Sequence, residues 1–365
     1  MASIAGSHFV ATVPGETVRV VETSGGPLPP PVHGVFNLEV WTGNPADAPT
    51  HPAHGYQGLA VLEDGGRRID LIRGAFAVTD PGNGHDTINA DGREETINGG
   101  AASVTLNLFG NHDVANGSDN NTISVFGDHD TANGSGSDQI SVYGTHDLVN
   151  GGDGQDTIAV FANHDKVNGS GNDQIYVFGS HDHVIGGTGN ESVDLFGNHD
   201  DFTGGLGNPT VNAFGSDNSI SAGMGDASIN VFGDANTIGG AIGETTINVF
   251  GNDNLVVPGT GLSDIDIAGN GDSVDAGNHT FVSEAQITVG GGDFRFNDGP
   301  QTYLDTIVGF DQHAGDRIHL TTEPVHDALA HSTQVNGGND TLITLNDGST
   351  ILLKGVTHIN PSFFS

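Results

Sequence analysis

GGDGQDTIAVFANHDKVN, residues 151–168, decides the fold. Its first half, GGDGQDTIA (151–159), sets Gly-rich and polar residues before an apolar residue held between two neighbours. That pattern is a loop followed by a very short strand with one side chain pointing inward. The second half, VFANHDKVN (160–168), has the same length and a different loop. Relatives of the first half are GSGSDQIS (134–141), GSGNDQIY (169–176) and GGTGNESVD (186–194); relatives of the second are VFGDHDTAN (125–133), VYGTHDLVN (142–150) and VFGSHDHVI (177–185). The step of 17 or 18 residues is marked by Phe109, Phe126, Tyr143, Phe161, Phe178, Phe196, Phe214, Phe232 and Phe250. Two halves return the chain to its starting point one strand spacing further along. The expected fold is therefore all-β, a parallel β-roll or β-solenoid of 17–18-residue turns in which stacked turns share one core that no single turn can bury.

The first half resembles the GGxGxDxUx nonapeptide of calcium-binding β-rolls, the repeats-in-toxin (RTX) family, and Gly151 to Ala159 fits it at every fixed position. The resemblance implies Ca2+ held by the carboxylate at position six, together with carbonyls from its own loop and from the loop one full turn away. Carried over to this chain, the site residues are Gly134, Gly136 and Asp138; Gly151, Gly152, Gly154 and Asp156; Gly169, Gly171 and Asp173; Gly187, Gly189 and Glu191; and Asp86 as an isolated candidate. The chemistry is consistent with this, because a hard cation takes six to eight oxygens and flexible Gly-rich loops offer carbonyls beside carboxylates. The alternative is a solenoid whose Asp side chains only cap turns. Beyond Gly204 the loops put Pro209, Ala227 and Thr245 where earlier loops place Asp or Glu, so calcium is expected in the first half of the repeat only.

Composition narrows the chemistry further. The chain has 365 residues, 58 Gly, 18 His and no Cys, so thiolate metal sites and disulfides are excluded. Formal net charge is −37, and between Gly100 and Thr280 there are 24 acidic residues and one basic residue, Lys166. Such a chain repels itself until cations bind, and nucleic acid and anionic membranes are not expected as partners. No apolar run reaches the length of a membrane span, and the N-terminus carries no signal-peptide pattern.

The second half-turn departs from the RTX pattern. His-Asp recurs six times, at His112, His129, His146, His164, His181 and His199, each followed by Asp; the next three copies read Asp217-Asn218, Ala235-Asn236 and Asp253-Asn254. Stacked imidazoles about 4.8 Å apart could bind a transition metal such as zinc, or sense pH. The simpler reading has each His bonding a neighbouring loop and each Asp turning the corner, since Asn serves the same turn chemistry. Strand alternation puts Ile158 and Val160 inside and leaves Phe161 outward or at a corner. The aromatic row is expected to plug the end of the core, because a long exposed stripe would aggregate. Asn116, Asn133, Asn150 and Asn168 are expected to form an amide ladder.

Residues 1–80 lack the repeat and read as strands around 17–23, 33–43, 55–64 and 67–80, a β-rich N-terminal cap or a small recognition module with Trp41 and Tyr56 near its surface. The solenoid is expected over 81–279. From about 280 to 365 the chain resembles the C-terminal targeting domain of type I secreted proteins, also found at the end of serralysin-type proteins, on LDTIVGFDQHAGDRIHL (304–320), NGGNDTLITLNDGSTILLKGV (336–356) and the terminal SerPhePheSer (362–365). That resemblance implies a β-rich secretion domain, export through a type I ABC transporter and an extracellular or cell-surface location. No HExxH, GxSxG or P-loop signature is present, so catalysis is not expected. The expected function is a secreted protein that folds on calcium uptake outside the cell, as a surface, matrix or adhesion component meeting cell-surface polysaccharide or its own kind. The alternatives are an extracellular polysaccharide-active enzyme, or a transition-metal binder using the His row.

Overall fold

The computed structural model describes residues 2–3, 10–12, 17–44, 47–63, 66–72, 77–79, 85–99, 103–257, 259, 263–270, 273–275, 292–296, 304–308, 310, 312, 317–320, 324–346, 348 and 350–364. The fold is nearly all β, a β-solenoid of stacked parallel turns. The chain divides into two compact units, residues 1–179 and 180–365.

In the first unit, one sheet stacks Thr87–Arg93, Thr105–Asn111, Thr122–Phe126, Gln139–Tyr143 and Thr157–Val160 in parallel. A second stacks the short strands Thr96–Asn98, Val114–Asn116, Thr131–Asn133, Leu148–Asn150 and Lys166–Asn168. The register advances by one repeat at every step, pairing Ile123 with Ile140 and Ile140 with Ile158. Each turn sends two side chains inward from its longer strand and one from its shorter, such as Ile140, Val142 and Val149, or Ile158, Val160 and Val167, all buried. Three buried side chains do not offset the ordering of 17 or 18 residues, so a turn is stable only between neighbours.

Strands among the described residues of the first 80 extend these sheets. Val18–Thr23 pairs in parallel with Phe36–Trp41, which pairs in parallel with Gly58–Glu63. Gly58–Glu63 runs antiparallel to Gly66–Ile72, and that strand pairs in parallel with Thr87–Arg93. Trp41 and Tyr56 are not near the surface: they are 8% and 7% exposed. The Pro-rich connection closes over Tyr56, whose hydroxyl donates to Pro29 O at 2.8 Å, while the Trp41 indole N–H donates to Asn44 O at 3.0 Å.

In the second unit the same stacking runs through Ser192–Asn198, Thr210–Phe214, Ala227–Phe232, Thr245–Asn252 and Ser263–Asn270. It continues into Gly292–Phe296 and Arg317–Leu320, so strand stacking carries on past residue 280. An antiparallel hairpin then ends the stack: Ser332–Val335 pairs with Asp340–Thr344, which pairs with Thr350–Lys354, and Thr350–Lys354 pairs in parallel with Leu304–Val308. Near the C-terminus Phe363 stacks on Phe310 and is buried.

The aromatic row does not plug the core. Phe109, Phe126, Tyr143, Phe161, Phe178, Phe196, Phe214, Phe232 and Phe250 are 36–47% exposed. Alternation carries through to the aromatic position, as in the exposed–buried–intermediate–buried–exposed run of Thr122–Phe126, which places the ring outside. Rings stack face to face, 4.7–4.9 Å apart from Phe109 through Phe126 and Tyr143 to Phe161, and 5.0–5.1 Å apart from Phe196 through Phe214 and Phe232 to Phe250. Each ring covers its neighbour's face, leaving mainly edges to water.

Candidate metal centre

The Gly-rich loops place position-six residues in one column per unit. The strand register aligns Asp86, Val104, Asn121, Asp138, Asp156 and Asp173 in the first unit. Asp86 is therefore separated from Asp138 by two turns without a carboxylate at this position. In the second unit the column begins with Glu191 and passes through Pro209, Ala227 and Thr245. All four carboxylates at 138, 156, 173 and 191 are 1–3% exposed.

Burial of a carboxylate requires hydrogen-bond donors or cations. The backbone supplies part of this. Each side-chain Oδ1 accepts the N–H of the residue one turn back: Val104 N to Asn121 at 2.9 Å, Asn121 N to Asp138 at 2.7 Å, Asp138 N to Asp156 at 2.6 Å and Asp156 N to Asp173 at 3.0 Å. The Oδ2 of Asp138 accepts from Ser135 N and Gly136 N, and that of Asp173 from Ser170 N and Gly171 N. Glu191 Oε1 accepts Gly187 N at 2.8 Å. These bonds are the turn-capping chemistry that an Asp in such a loop performs.

Asp156, in the loop that fits the nonapeptide completely, differs. Its Oδ2 is buried with no hydrogen-bond partner. Burial, followed by the charges of Asp173 and Asp138, pushes its pKa up to about 7 against the pull of the Asp138 N–H. A methyl group on Gly151 would sit 2.9 Å from Asp156 Oδ2 and 3.3 Å from Asp173 Oδ2, so carboxylates from two turns share this space. At Gly134 the same methyl would meet Asp138 Oδ2 and the carbonyl oxygen of Gly151. Gly152, at φ +93°, and Gly154 let the carbonyls of Gly134 and Gly136 approach their Cα atoms. Glycine backbone thus lets carboxylate and carbonyl oxygens of neighbouring turns come close together. Those residues fit a hard cation bound by oxygen.

The opposite corner is built differently. His112, His129, His146, His164, His181 and His199 all adopt φ of 60–65°, as do their equivalents Glu94, Asp217, Ala235 and Asp253 at 57–59°. The His N–H of one turn donates to the carbonyl before the next His, His112 N to Asp128 O and His129 N to Thr145 O. Imidazoles are exposed and stack 5.0–5.2 Å apart from His112 through His129 and His146 to His164. Face-to-face rings do not aim their nitrogens at one point, and no group of three or more His, Asp or Glu among the described residues converges as a metal cluster. Any cation at the Gly-rich loops would therefore rely on backbone carbonyls for most of its ligands.

The Asn ladder is present: Asn116, Asn133, Asn150 and Asn168 each donate Nδ2 to Oδ1 of the Asn one turn back, at 2.6–2.7 Å. Sequence reasoning missed Asn121 and Glu95, which occupy the two columns without the Gly-rich or His-Asp signature. Only their register to the following strand residue identifies them.

Fold and site together define a parallel β-solenoid with two columns of buried carboxylates. Compared with known proteins, the chain matches no family model and no curated protein.

Proposed function

We propose that this chain is a secreted, calcium-binding repeat protein of the RTX type, which completes its folding on calcium uptake outside the cell. The observation that carries this reading is Asp156, a buried carboxylate whose Oδ2 lacks a donor and which shares an oxygen-lined space with Asp173. Ca2+ bound there would supply the positive charge that lets neighbouring carboxylates stay ionised out of water. Asp156 and Asp173 would hold it, with backbone carbonyls of the Gly-rich loops supplying most of the ligands, and the resemblance extends the same role to Asp138 one turn back and to Glu191 in the second unit. Binding free energy is then folding free energy. Export by a type I transporter through the C-terminal region accords with this order of events, since acidic loops repel until calcium is met. The role is that of a surface, matrix or adhesion component, for which the exposed aromatic row offers a contact face.

The test is a calcium titration of the chelated full chain, followed by circular dichroism and equilibrium dialysis, with Asp156→Asn alongside. Asn retains the Oδ1 acceptor and so preserves the turn. A calcium-dependent gain of β structure with bound calcium reduced in Asp156→Asn is expected. A chelated chain that is already folded and takes up no calcium would leave the loops as turns only.

A further inference from the structure

The His-Asp corner poses a chemical problem of its own. Asp113, Asp130 and Asp147 are 1–3% exposed. Each Oδ1 accepts a backbone N–H from one turn back: Glu95 N to Asp113 at 2.8 Å, Asp113 N to Asp130 at 2.7 Å and Asp130 N to Asp147 at 2.7 Å. Each Oδ2 is buried with no hydrogen-bond partner. A methyl group placed on Gly110, Gly127 or Gly144 would lie 2.8, 2.9 or 3.0 Å from the Oδ2 of Asp113, Asp130 or Asp147 respectively. Its nearest neighbour would be the carbonyl oxygen of the glycine one turn back, Gly92, Gly110 or Gly127. Two acceptors therefore share each of these small volumes.

The second unit shows what belongs between them. There Asn218, Asn236 and Asn254 hold the same ladder position, with Oδ1 accepting from Asp200 N, Asn218 N and Asn236 N at 2.8–2.9 Å. Their Nδ2 groups donate to Gly197 O, Gly215 O and Gly233 O at 3.1–3.2 Å. A methyl on Gly251 would lie 3.2 Å from Asn254 Nδ2 and closest to Gly233 O, the arrangement of the Asp turns with nitrogen in place of oxygen. In the Asn turns, a hydrogen lies between side chain and carbonyl.

We propose that Asp113, Asp130 and Asp147 are carried in the neutral, protonated form in the folded chain, each Oδ2–H donating to the glycine carbonyl one turn back as the Asn Nδ2–H does. Closing these turns takes up protons from solvent. A proton needs only the two oxygens present at each Oδ2, whereas a calcium ion needs six or more. The two corners of a turn would thus take different cations. This inference stands without the calcium reading, which concerns the other corner.

The charges facing the row favour the neutral form. Asp130 is faced by Asp113 and Asp128; Asp147 by Asp165, Asp130 and Asp128; and Glu95, at the row's end, by Asp113, Asp91 and Asp130. At Asp113 the His112 imidazole pulls the other way. Burial first, and these like charges after it, push Glu95 up to about 9; burial and like charges push Asp130 and Asp147 up to about 7 against the backbone N–H bonds of the ladder, and burial raises Asp113 against the same kind of bond. An Asp at 3.8 when unfolded and about 7 when folded binds more protons in the folded state between those values. Its contribution is fully present below about pH 4. As pH rises to about 7, each such Asp lowers the folded-to-unfolded ratio by up to about tenfold per unit. Above that range the contribution is gone.

The experiment compares the full chain with Asp113→Asn/Asp130→Asn/Asp147→Asn across pH 4 to 9, in saturating calcium. Denaturation midpoints, bound calcium and the infrared C=O band of protonated carboxyl groups are measured. In the wild type, stability should fall from pH 4 to 7 more steeply than in the variant, and the variant should be at least as stable at pH 8. Bound calcium should be unchanged, and the carboxyl band seen at pH 6 should shrink in the variant. Parallel pH profiles with an unchanged band would mean the row is ionised, and lost calcium would mean it is a metal row; either overturns the proposal. Should the triple variant not fold, Asp130→Asn carries the same readouts, and a wild type without the carboxyl band at pH 6 overturns the proposal by itself.

Discussion

A left-handed backbone conformation fixes the corner residue of every second half-turn, yet the residue type found there varies. His146 sits at φ 65°, Asp217 at 59° and Ala235 at 59°. Asn and Asp reach this region with little cost, whereas a β-branched residue is a genuine outlier there. His146→Asn should therefore leave the unfolding free energy from urea denaturation within about 0.5 kcal/mol of wild type, and His146→Val should cost about 1–3 kcal/mol. If both substitutions were equally costly, the ring stack rather than the backbone would be the constraint, because both remove the imidazole from between His129 and His164. The recurrence of His over six turns is then a property of the exposed ring row, laid over a conformation that other residues also meet.

The strands draw their stability from ladders that repeat one contact per turn. Asn133 donates to Asn116 Oδ1 at 2.7 Å and accepts from Asn150 Nδ2 at 2.6 Å, so Asn133→Ala breaks two bonds and orphans a group on either side. A loss of about 2 kcal/mol is expected, measured by chemical denaturation. Ile158→Ala, which empties a fully buried position, should cost about 2–5 kcal/mol. Much of this level was legible in the chain. Inward Ile158 and Val160, the 17–18-residue register and the Asn row follow from period and alternation alone. The Phe row was legible as outward by alternation, but the expected cost of exposure argued the other way. What that argument lacked was the stacking at 4.7–5.1 Å, which hides ring faces from water. Trp41 and Tyr56 were misplaced because their burial depends on how the Pro-rich connection closes over them. The buried carboxylate ladders were also hidden, since each bond joins residues 17 or 18 apart that share no motif within a single loop.

For the molecule as a whole, 46 acidic and 9 basic residues give a formal charge of −37. Successive turns lie about 4.8 Å apart, well within the Debye length of about 10 Å at 0.1 M salt, so exposed carboxylates on neighbouring turns repel one another. Monovalent salt screens these charges and should stabilise the calcium-free chain gradually, without saturating at a fixed stoichiometry. It does little for buried groups such as Asp156, which are screened far less. Calcium bound between the Gly-rich loops would act on those buried groups directly. At matched ionic strength, calcium chloride should therefore raise the thermal midpoint well beyond sodium chloride, and should do so with saturation. Magnesium, which demands a tighter octahedral shell and dehydrates reluctantly, should fall between the two. The check is a set of thermal melts at constant ionic strength and pH 8, with bound calcium measured in parallel. If calcium, magnesium and sodium gave one curve against ionic strength, the cations would be acting only as a screening atmosphere and the Gly-rich loops would be turns. A saturating calcium curve that Asp156→Asn shifts, while the sodium curve stays in place, would separate site binding from screening in the same chain.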